Sequence, residues 1–260
     1  MLPFVAIPSY DRSDTIASKT LAFLKRSNYP AEKIHIFVAS DEEFTKYEKE
    51  LSEDIYGEII IGVPGLKEQN NFITSFYPED EIIIRMDDDI KSIRSDIPFL
   101  ALVDIAMSHL EYRNSGLFGI MPNDDKRRFK GAMTSHLSFI IGCFFIMRNH
   151  RDIILTHCEK DDVERSILYF KRYGNVLRYQ NAGVSTDYGK NRGGLQQPGR
   201  LQRMEEAVET ITKAYPGYCK IVNKNGIKDV ILDWRAVPPQ LQSKSKKSDG
   251  VLPHPLSPTV

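Results

Sequence analysis

The chain has 260 residues with 35 basic and 35 acidic side chains, so its formal charge is zero and no global field marks it for nucleic acid or a membrane surface. Apolar content of 41% with 27% charged residues is ordinary for a globular chain and supports one large domain, or one domain with an appendage. Three cysteines (Cys143, Cys158 and Cys219), with no CxxC pair, argue against a disulfide framework or a zinc site and for a reducing compartment.

The start, Met-Leu-Pro-Phe-Val-Ala-Ile, lacks the basic leader and the length of a signal peptide. The longest apolar run, Leu137 to Met147, is about half of what a bilayer needs. A cytoplasmic protein without a membrane partner is expected.

In chain order, Pro3 to Pro8 reads as a short strand stopped by proline, followed by the loop Ser9-Tyr10-Asp11-Arg12. Ser13 or Asp14 is positioned to cap a helix over about Thr15 to Arg26. Lys33 to Ala39 is a second strand, Glu42 to Leu51 a polar helix, and Glu58 to Gly62 a third strand. Gly65-Leu66-Lys67-Glu68-Gln69-Asn70-Asn71 opens another helix. Strand and helix alternate at the spacing of βαβ units, which predicts a mostly parallel sheet covered on both faces.

The fourth strand is Glu81-Ile82-Ile83-Ile84-Arg85-Met86-Asp87-Asp88-Asp89-Ile90. A β-branched run that ends in three carboxylates reads as a buried strand whose carboxyl edge is a working site, since ligands of open α/β sheets bind outside that edge. Side chains alternate, so Asp87 and Asp89 can share one face while Asp88 points to the other. Two converging carboxylates repel unless a cation joins them. Hard oxygen ligands suit Mn²⁺ or Mg²⁺, which keep positions open for substrate phosphates. The alternative is a solvated acidic turn.

Beyond it, Ile97 to Tyr112 has helical apolar spacing and Gly116 to Ile120 reads as a strand. Asn123 to Gly131 is a charged, turn-rich loop. Leu137 to Met147 reads as one buried strand or two short ones with a bend at Gly142-Cys143. Asp161-Asp162-Val163-Glu164-Arg165-Ser166 starts a helix that runs to about Arg172, and Val176 to Tyr179 is a strand. Asp187 to Arg203 is a Gly-, Lys- and Arg-rich loop, Met204 to Tyr215 a helix, and Gly217 to Trp234 a small hairpin. A domain over 1–237 is expected, with halves at about 1–90 and 91–237 and a disordered tail over 238–260, whose Pro/Ser/Lys composition cannot bury a core.

Several of these stretches, in this order, resemble GT-A glycosyltransferases. They are Ile7-Pro8-Ser9-Tyr10-Asp11-Arg12, Val38-Ala39-Ser40-Asp41, Gly65 to Asn71, Met86-Asp87-Asp88-Asp89, Gly142 to Ile146 and the Asp161-Asp162 helix start. More narrowly, Gly-Leu-x-x-Gln-x-Asn, Asp-Asp-Val-Glu-Arg-Ser and Gly-Gly-Leu-Gln are similar to the TET-associated glycosyltransferases of phages, which are thought to place a sugar on hydroxymethylated pyrimidines in DNA. The chain also resembles the small GT-A domains that large algal viruses use for building glycans.

The resemblance implies an α/β, Rossmann-like GT-A domain with a small C-terminal extension. It also implies a metal-dependent transfer from a nucleotide diphosphate sugar, a UDP-sugar by preference, to a hydroxyl. Pro8, Tyr10 and Arg12 would receive the nucleotide, with Tyr10 on the base and Arg12 on a phosphate; a capping loop explains them equally well. Asp41 would bind uracil or ribose, or else cap its helix. Gln69 and Asn70 would read a base or ribose edge, or else cap theirs. Asp87 and Asp89 would hold the metal, with Asp88 beside the donor.

Asp162, paired with Asp161, would be the base of an inverting displacement; its alternative is acidic complement to the helix dipole. No histidine lies between His157 and His254 to complete the metal site in the manner of many GT-A proteins. Lys190 and Arg192 would neutralise the leaving group instead. Arg127, Arg128 and Lys130 form a basic patch for a DNA acceptor. A glycan or small alcohol is the competing acceptor, and a non-catalytic nucleotide-sugar-binding module the competing class.

Overall fold

The computed structural model describes residues 1–186, 199–224 and 226–240. Strands β1 (Phe4–Pro8), β2 (Ile34–Val38), β3 (Glu58–Ile61) and β4 (Ile82–Met86) lie in the order β3-β2-β1-β4, all parallel. Between them run α1 (Ser13–Ile16), which passes through a π turn at Ala17–Leu21 into α2 (Ala22–Arg26), then α3 (Asp41–Glu50) and α4 (Leu66–Phe76). The chain continues through β5 (Ile90–Ser95), α5 (Phe99–Tyr112), β6 (Leu117–Met121), β7 (Met133–Thr134), β8 (Phe144–Arg148), α6 (Asp161–Tyr173) and β9 (Leu177–Thr186). The sheet extends as β4-β8-β6-β9-β5, with β7 also on β9. β8 enters antiparallel to both its neighbours, β6 and β9 are parallel, and β5 is antiparallel to β9. α7 (Arg200–Ala214) and the hairpin β10 (Cys219–Lys224)–β11 (Ile227–Leu232) form the C-terminal extension.

The α/β architecture expected from the alternating pattern is the one found. Its strands read as unbroken apolar runs because both faces are covered. One face packs Val5, Ile7, Ile36, Ile84, Met86 and Phe144 against α1, α2, α3 and α5. The other packs Ala6, Phe37, Ile83, Phe145 and Met147 against α4, α6 and α7. Among the described residues no helix is long and apolar enough to cross a membrane.

Four local differences from the sequence reading have physical reasons. Only the second half of Leu137 to Met147 is a strand. Residues 137–142 are irregular although Leu137 and Ile140 are buried, because the Ser166 hydroxyl of α6 accepts the Ile140 amide at 3.2 Å in place of a sheet partner. β5 follows the Asp triplet directly, and its sheet partner β9 comes from about residue 182 onward, a pairing no local pattern announces. β9 is longer than expected and bulges, its partners jumping from Tyr179 to Gly183 opposite Ile120 and Met121; a Cβ on Gly183 would collide with the Asn123 carbonyl. Neither Ser13 nor Asp14 caps α1. Arg12 holds that position with no side-chain capping bond, and the Ser13 hydroxyl turns to Glu50.

At the other end of the chain, Gln240 donates to the carbonyls of Lys171 (2.8 Å) and Arg172 (2.7 Å), attaching residues up to 240 to the end of α6. Residues 241–260, the bulk of the expected tail, and 187–198, the bulk of the expected basic loop, lie outside the described residues.

Candidate active site

The period-two alternation of β4 divides its acidic end between two environments. Ile83, Arg85 and Asp87 face α4 and α6, while Ile84, Met86 and Asp88 face the β1–α1 side. Asp88 is 4% exposed. It accepts the Ser9 hydroxyl at 2.8 Å and Arg12 Nη1 at 3.0 Å. Tyr47 closes the ring, sharing a 2.7 Å hydrogen bond with Ser9 and accepting the Arg12 amide at 3.0 Å. Burial pushes the Asp88 carboxyl up while Arg12 and Ser9 pull it down. Asp88 therefore buckles the acidic turn to the loop after β1.

The turn itself is held from two further sides. The π turn, one residue wider than an α turn, points Thr20 inward. Its hydroxyl donates to the Asp87 carbonyl at 2.7 Å and accepts the Ile90 amide at 2.9 Å. The Asp87 amide donates to the Cys143 carbonyl at 2.9 Å, just before β8.

With its backbone fixed, the Asp87 carboxylate has no hydrogen-bond donor among the described residues. Burial pushes it up to about 8, reinforced by the charges of Asp88, Asp89 and Asp161 and opposed by Arg85. The Cys143 thiol, between strand end and helix start, is driven well above its ordinary range by burial and then by Asp87, Asp89 and Asp162. The strand end and the helix start, some 75 residues apart in sequence, thus flank the same Gly142-Cys143 turn, Asp87 through its amide and Asp162 by packing on Gly142.

The two acids that open α6 are not equivalent. Asp161 accepts Arg165 Nη2 at 2.6 Å, one helical turn on, and the Asn70 amide at 3.4 Å. Among the described residues, Asp162 accepts only the amide of its own neighbour Val163, at 2.9 Å, and it packs closely over Gly142, where an added Cβ would lie 3.5 Å from its own. Burial and the Asp161 charge push Asp162 up to about 7, against Arg165 and Lys160. Of the two, Asp162 is the one whose carboxyl burial drives upward, and Asp161 is the one held in an ion pair.

The other residues singled out in the sequence fall into distinct places. Pro8 ends β1, and Tyr10, next to Ser9 in the loop that follows, is 56% exposed. Asp41 is exposed in the first turn of α3, while Ser40 caps that helix through the Glu43 amide at 3.4 Å. Gln69 and Asn70 cap nothing, and their amides are spent on the protein. Gln69 accepts the Val63 amide at 2.8 Å and donates to the Val38 carbonyl at 3.1 Å. Asn70 bridges Arg85 on β4 and Asp161 on α6. Arg127 is exposed and folded back on Asp125, at 2.9 and 3.0 Å, with Arg128 3.8 Å from the same carboxylate and Lys130 exposed nearby. Lys190, Arg192 and His254 lie outside the described residues.

Sequence reading missed Ser9, Thr20, Arg85 and Arg165 as parts of this site. Arg85 alone left a signal, a charged residue inside an Ile-Ile-Ile-Arg-Met strand. It also missed a second acidic group at the opposite end of β4. Among the described residues, Glu79, Asp80 and His150 are the three metal-ligating side chains whose atoms lie within 4.8 Å of one another.

No protein-family model matches the chain, and no curated protein matches it by sequence. Solved structures do share its fold. A mannosyltransferase from Pyrobaculum calidifontis, solved with GDP-mannose and Mn²⁺, matches 81% of this chain and 63% of its own with a TM-score of 0.53 at 14% identity. Glucosyl-3-phosphoglycerate synthase from Mycobacterium tuberculosis, solved with Mn²⁺, UDP-glucose and phosphoglyceric acid, matches 93% of this chain and 91% of its own at 0.50 and 12% identity. GalNAc-T7, solved with UDP, GalNAc and Mn²⁺, matches 80% of this chain and 48% of its own at 0.50 and 13% identity. These neighbours are nucleotide-sugar transferases of GT-A type. The fold is GT-A.

Proposed function

We propose that this chain is a metal-dependent glycosyltransferase that moves a sugar from a nucleoside diphosphate sugar, a UDP-sugar by preference, to a hydroxyl acceptor. The observation that carries the reading is the placing of the acidic end of β4 and the Asp162 helix start on either side of the Gly142-Cys143 turn, at the carboxyl edge of the sheet. The fold neighbours supply the class of donor.

The donor set fits a hard dication. Burial, and then the acids around it, push Asp87 up to about 8, and Asp87 and Asp89 would offer oxygen ligands suited to Mn²⁺ or Mg²⁺, whose charge would offset both effects. When bound, such an ion supplies charge neutralisation for a diphosphate leaving group. Tyr10 offers its exposed face to the nucleotide base, beside Pro8 and Asp41. Arg12 acts through Asp88 by holding the acidic turn in place. Asp162 takes the proton from the acceptor hydroxyl as its oxygen attacks the anomeric carbon and the bond to the diphosphate breaks, inverting the configuration. Asp161 holds Asp162's helix start to Arg165 and Asn70.

For the acceptor, the finer reading is the hydroxymethyl group of a modified pyrimidine in DNA. Its support is the sequence resemblance together with the exposed Arg128 and Lys130, Arg127 being engaged by Asp125. The test is Mn²⁺-dependent release of UDP from UDP-sugars, first alone and then with hydroxymethylated oligonucleotide or with free glycans. No metal-dependent hydrolysis of any nucleotide sugar defeats the glycosyltransferase reading. Transfer to glycans and none to DNA defeats only the finer one.

A further inference from the structure

We propose that the cavity between β4, α4 and α6 binds one monovalent anion of chloride size, held by Nη1 of Arg85 and Nη1 of Arg165. The cavity measures about 20 Å³ and is lined by both arginines with Asn70, Thr74, Phe145 and Tyr169 among its walls. Each arginine is 4% exposed, and in each Nη1 is buried with no hydrogen-bond partner among the described residues.

Arg85 is the more demanding of the two. Its Nη2 donates to the Asn70 side-chain carbonyl, and among the described residues no carboxylate lies within ion-pair distance of it. A buried guanidinium without a counter-charge is costly, and natural interiors pair such groups. Arg165 has one counter-charge, Asp161 at 2.6 Å, and its plane lies over the Phe145 ring at 4.1 Å. That leaves its Nη1 in the same position as that of Arg85. Two like charges thus line one cavity with room for a single small particle.

The walls choose the particle. A water molecule accepts from two donors but must also place two hydrogens of its own. The Asn70 side-chain oxygen is taken by Arg85, while the Tyr169 and Thr74 hydroxyls donate to the Arg148 and Asn70 carbonyls and keep lone pairs, so it is charge that separates a halide from water here. A halide only accepts, and it carries the counter-charge that Arg85 lacks and that Arg165 has only from Asp161. Phosphate and sulfate exceed the space.

The cavity adjoins the acids of the proposed transfer reaction through the Arg165–Asp161 pair, but halide binding is read without turnover and stands whether or not that reaction is confirmed. The full chain, freed of metal, is held in sodium gluconate, and thermal unfolding is followed as chloride or bromide replaces gluconate at constant sodium. The expected result is a saturable rise in Tm of about 2–5 °C, absent in Arg85→Met. Equal Tm in gluconate and halide overturns the proposal. Crystals grown in bromide give an anomalous peak between the two guanidiniums if it is right, and a water without anomalous signal if it is wrong. Should Arg85→Met fail to fold, the bromide map of the unsubstituted protein decides alone.

Discussion

The two ends of β4 carry acidic groups of similar composition and opposite character. At the amino end, His150 Nδ1 meets Glu79 at 2.7 Å and its Nε2 meets the Tyr173 hydroxyl at 2.5 Å. Glu79 also accepts the Arg151 amide at 2.9 Å and faces Arg172 at 3.9 Å, and these partners hold its carboxyl below the usual range. At the carboxyl end, burial and neighbouring acids drive Asp87 up to about 8 and Asp162 up to about 7. Three ligating atoms close together do not make the amino end reactive, because its charges are already answered within the fold. Two acids forced to share a buried space do mark the carboxyl end, where a cation and a proton have work to do.

The sharpest way to break the comparison is to remove one acid at each end. Asp89→Asn should lower Mn²⁺-dependent turnover of nucleotide sugar by about 10³-fold or more with the fold intact, and EDTA should do the same to the unsubstituted protein. Glu79→Gln should leave turnover within about twofold while lowering Tm, since it strips a partner from buried His150. If Glu79→Gln removed metal dependence and Asp89→Asn did not, the working end of β4 would be the other one.

Next in size is the contrast within α6. Asp162→Asn should cut kcat by roughly 10²–10⁴ without weakening donor binding, the usual worth of a positioned base. Asp161→Asn should act on stability instead, by roughly 2–4 kcal/mol, because it leaves Arg165 buried without its ion-pair partner. Measured kcat and urea unfolding of the two variants separate the roles, and retained product configuration would leave Asp162 without one.

A smaller effect follows from the Asp162 titration. Its folded pKa, about 7, lies above the ordinary value, so the folded state holds this proton more tightly than the unfolded chain. Stability from this group is full below the unfolded pKa near 4 and declines as pH rises toward 7. Activity runs the other way, since a base must be ionised. kcat/KM should rise through about pH 7 and level off, and Asp162→Asn should lose that limb while becoming relatively more stable at pH 8 than at pH 4. A flat profile from pH 5 to 9 in the unsubstituted enzyme would contradict the assignment.

The smallest expected effect concerns the tail. Removal of residues 241–260 should leave Tm and turnover unchanged. Cutting before Pro238 should cost about 1 kcal/mol more, through the two hydrogen bonds Gln240 gives to the end of α6.

The sequence by itself determined the alternation of strands and helices through residue 86, the helix start at Asp161 and the position of the acidic edge. Those features are local: apolar period, proline stops and a carboxylate cluster at a strand end are all written within windows of about ten residues. The tertiary structure alone decided how β8 and β5 enter the sheet, and which of the acids are engaged and which are not. Asp88 is taken by Ser9 and Arg12, 79 and 76 residues away, and Asp161 by Asn70, 91 residues away. Gln69 and Asn70, legible as polar residues at a helix start, became clamps only once β2, β4 and α6 were beside them. A carboxylate's readiness to bind a metal or a proton is a sum over every charge and donor within a few ångströms, and in this fold those neighbours come from parts of the chain that no sequence window spans.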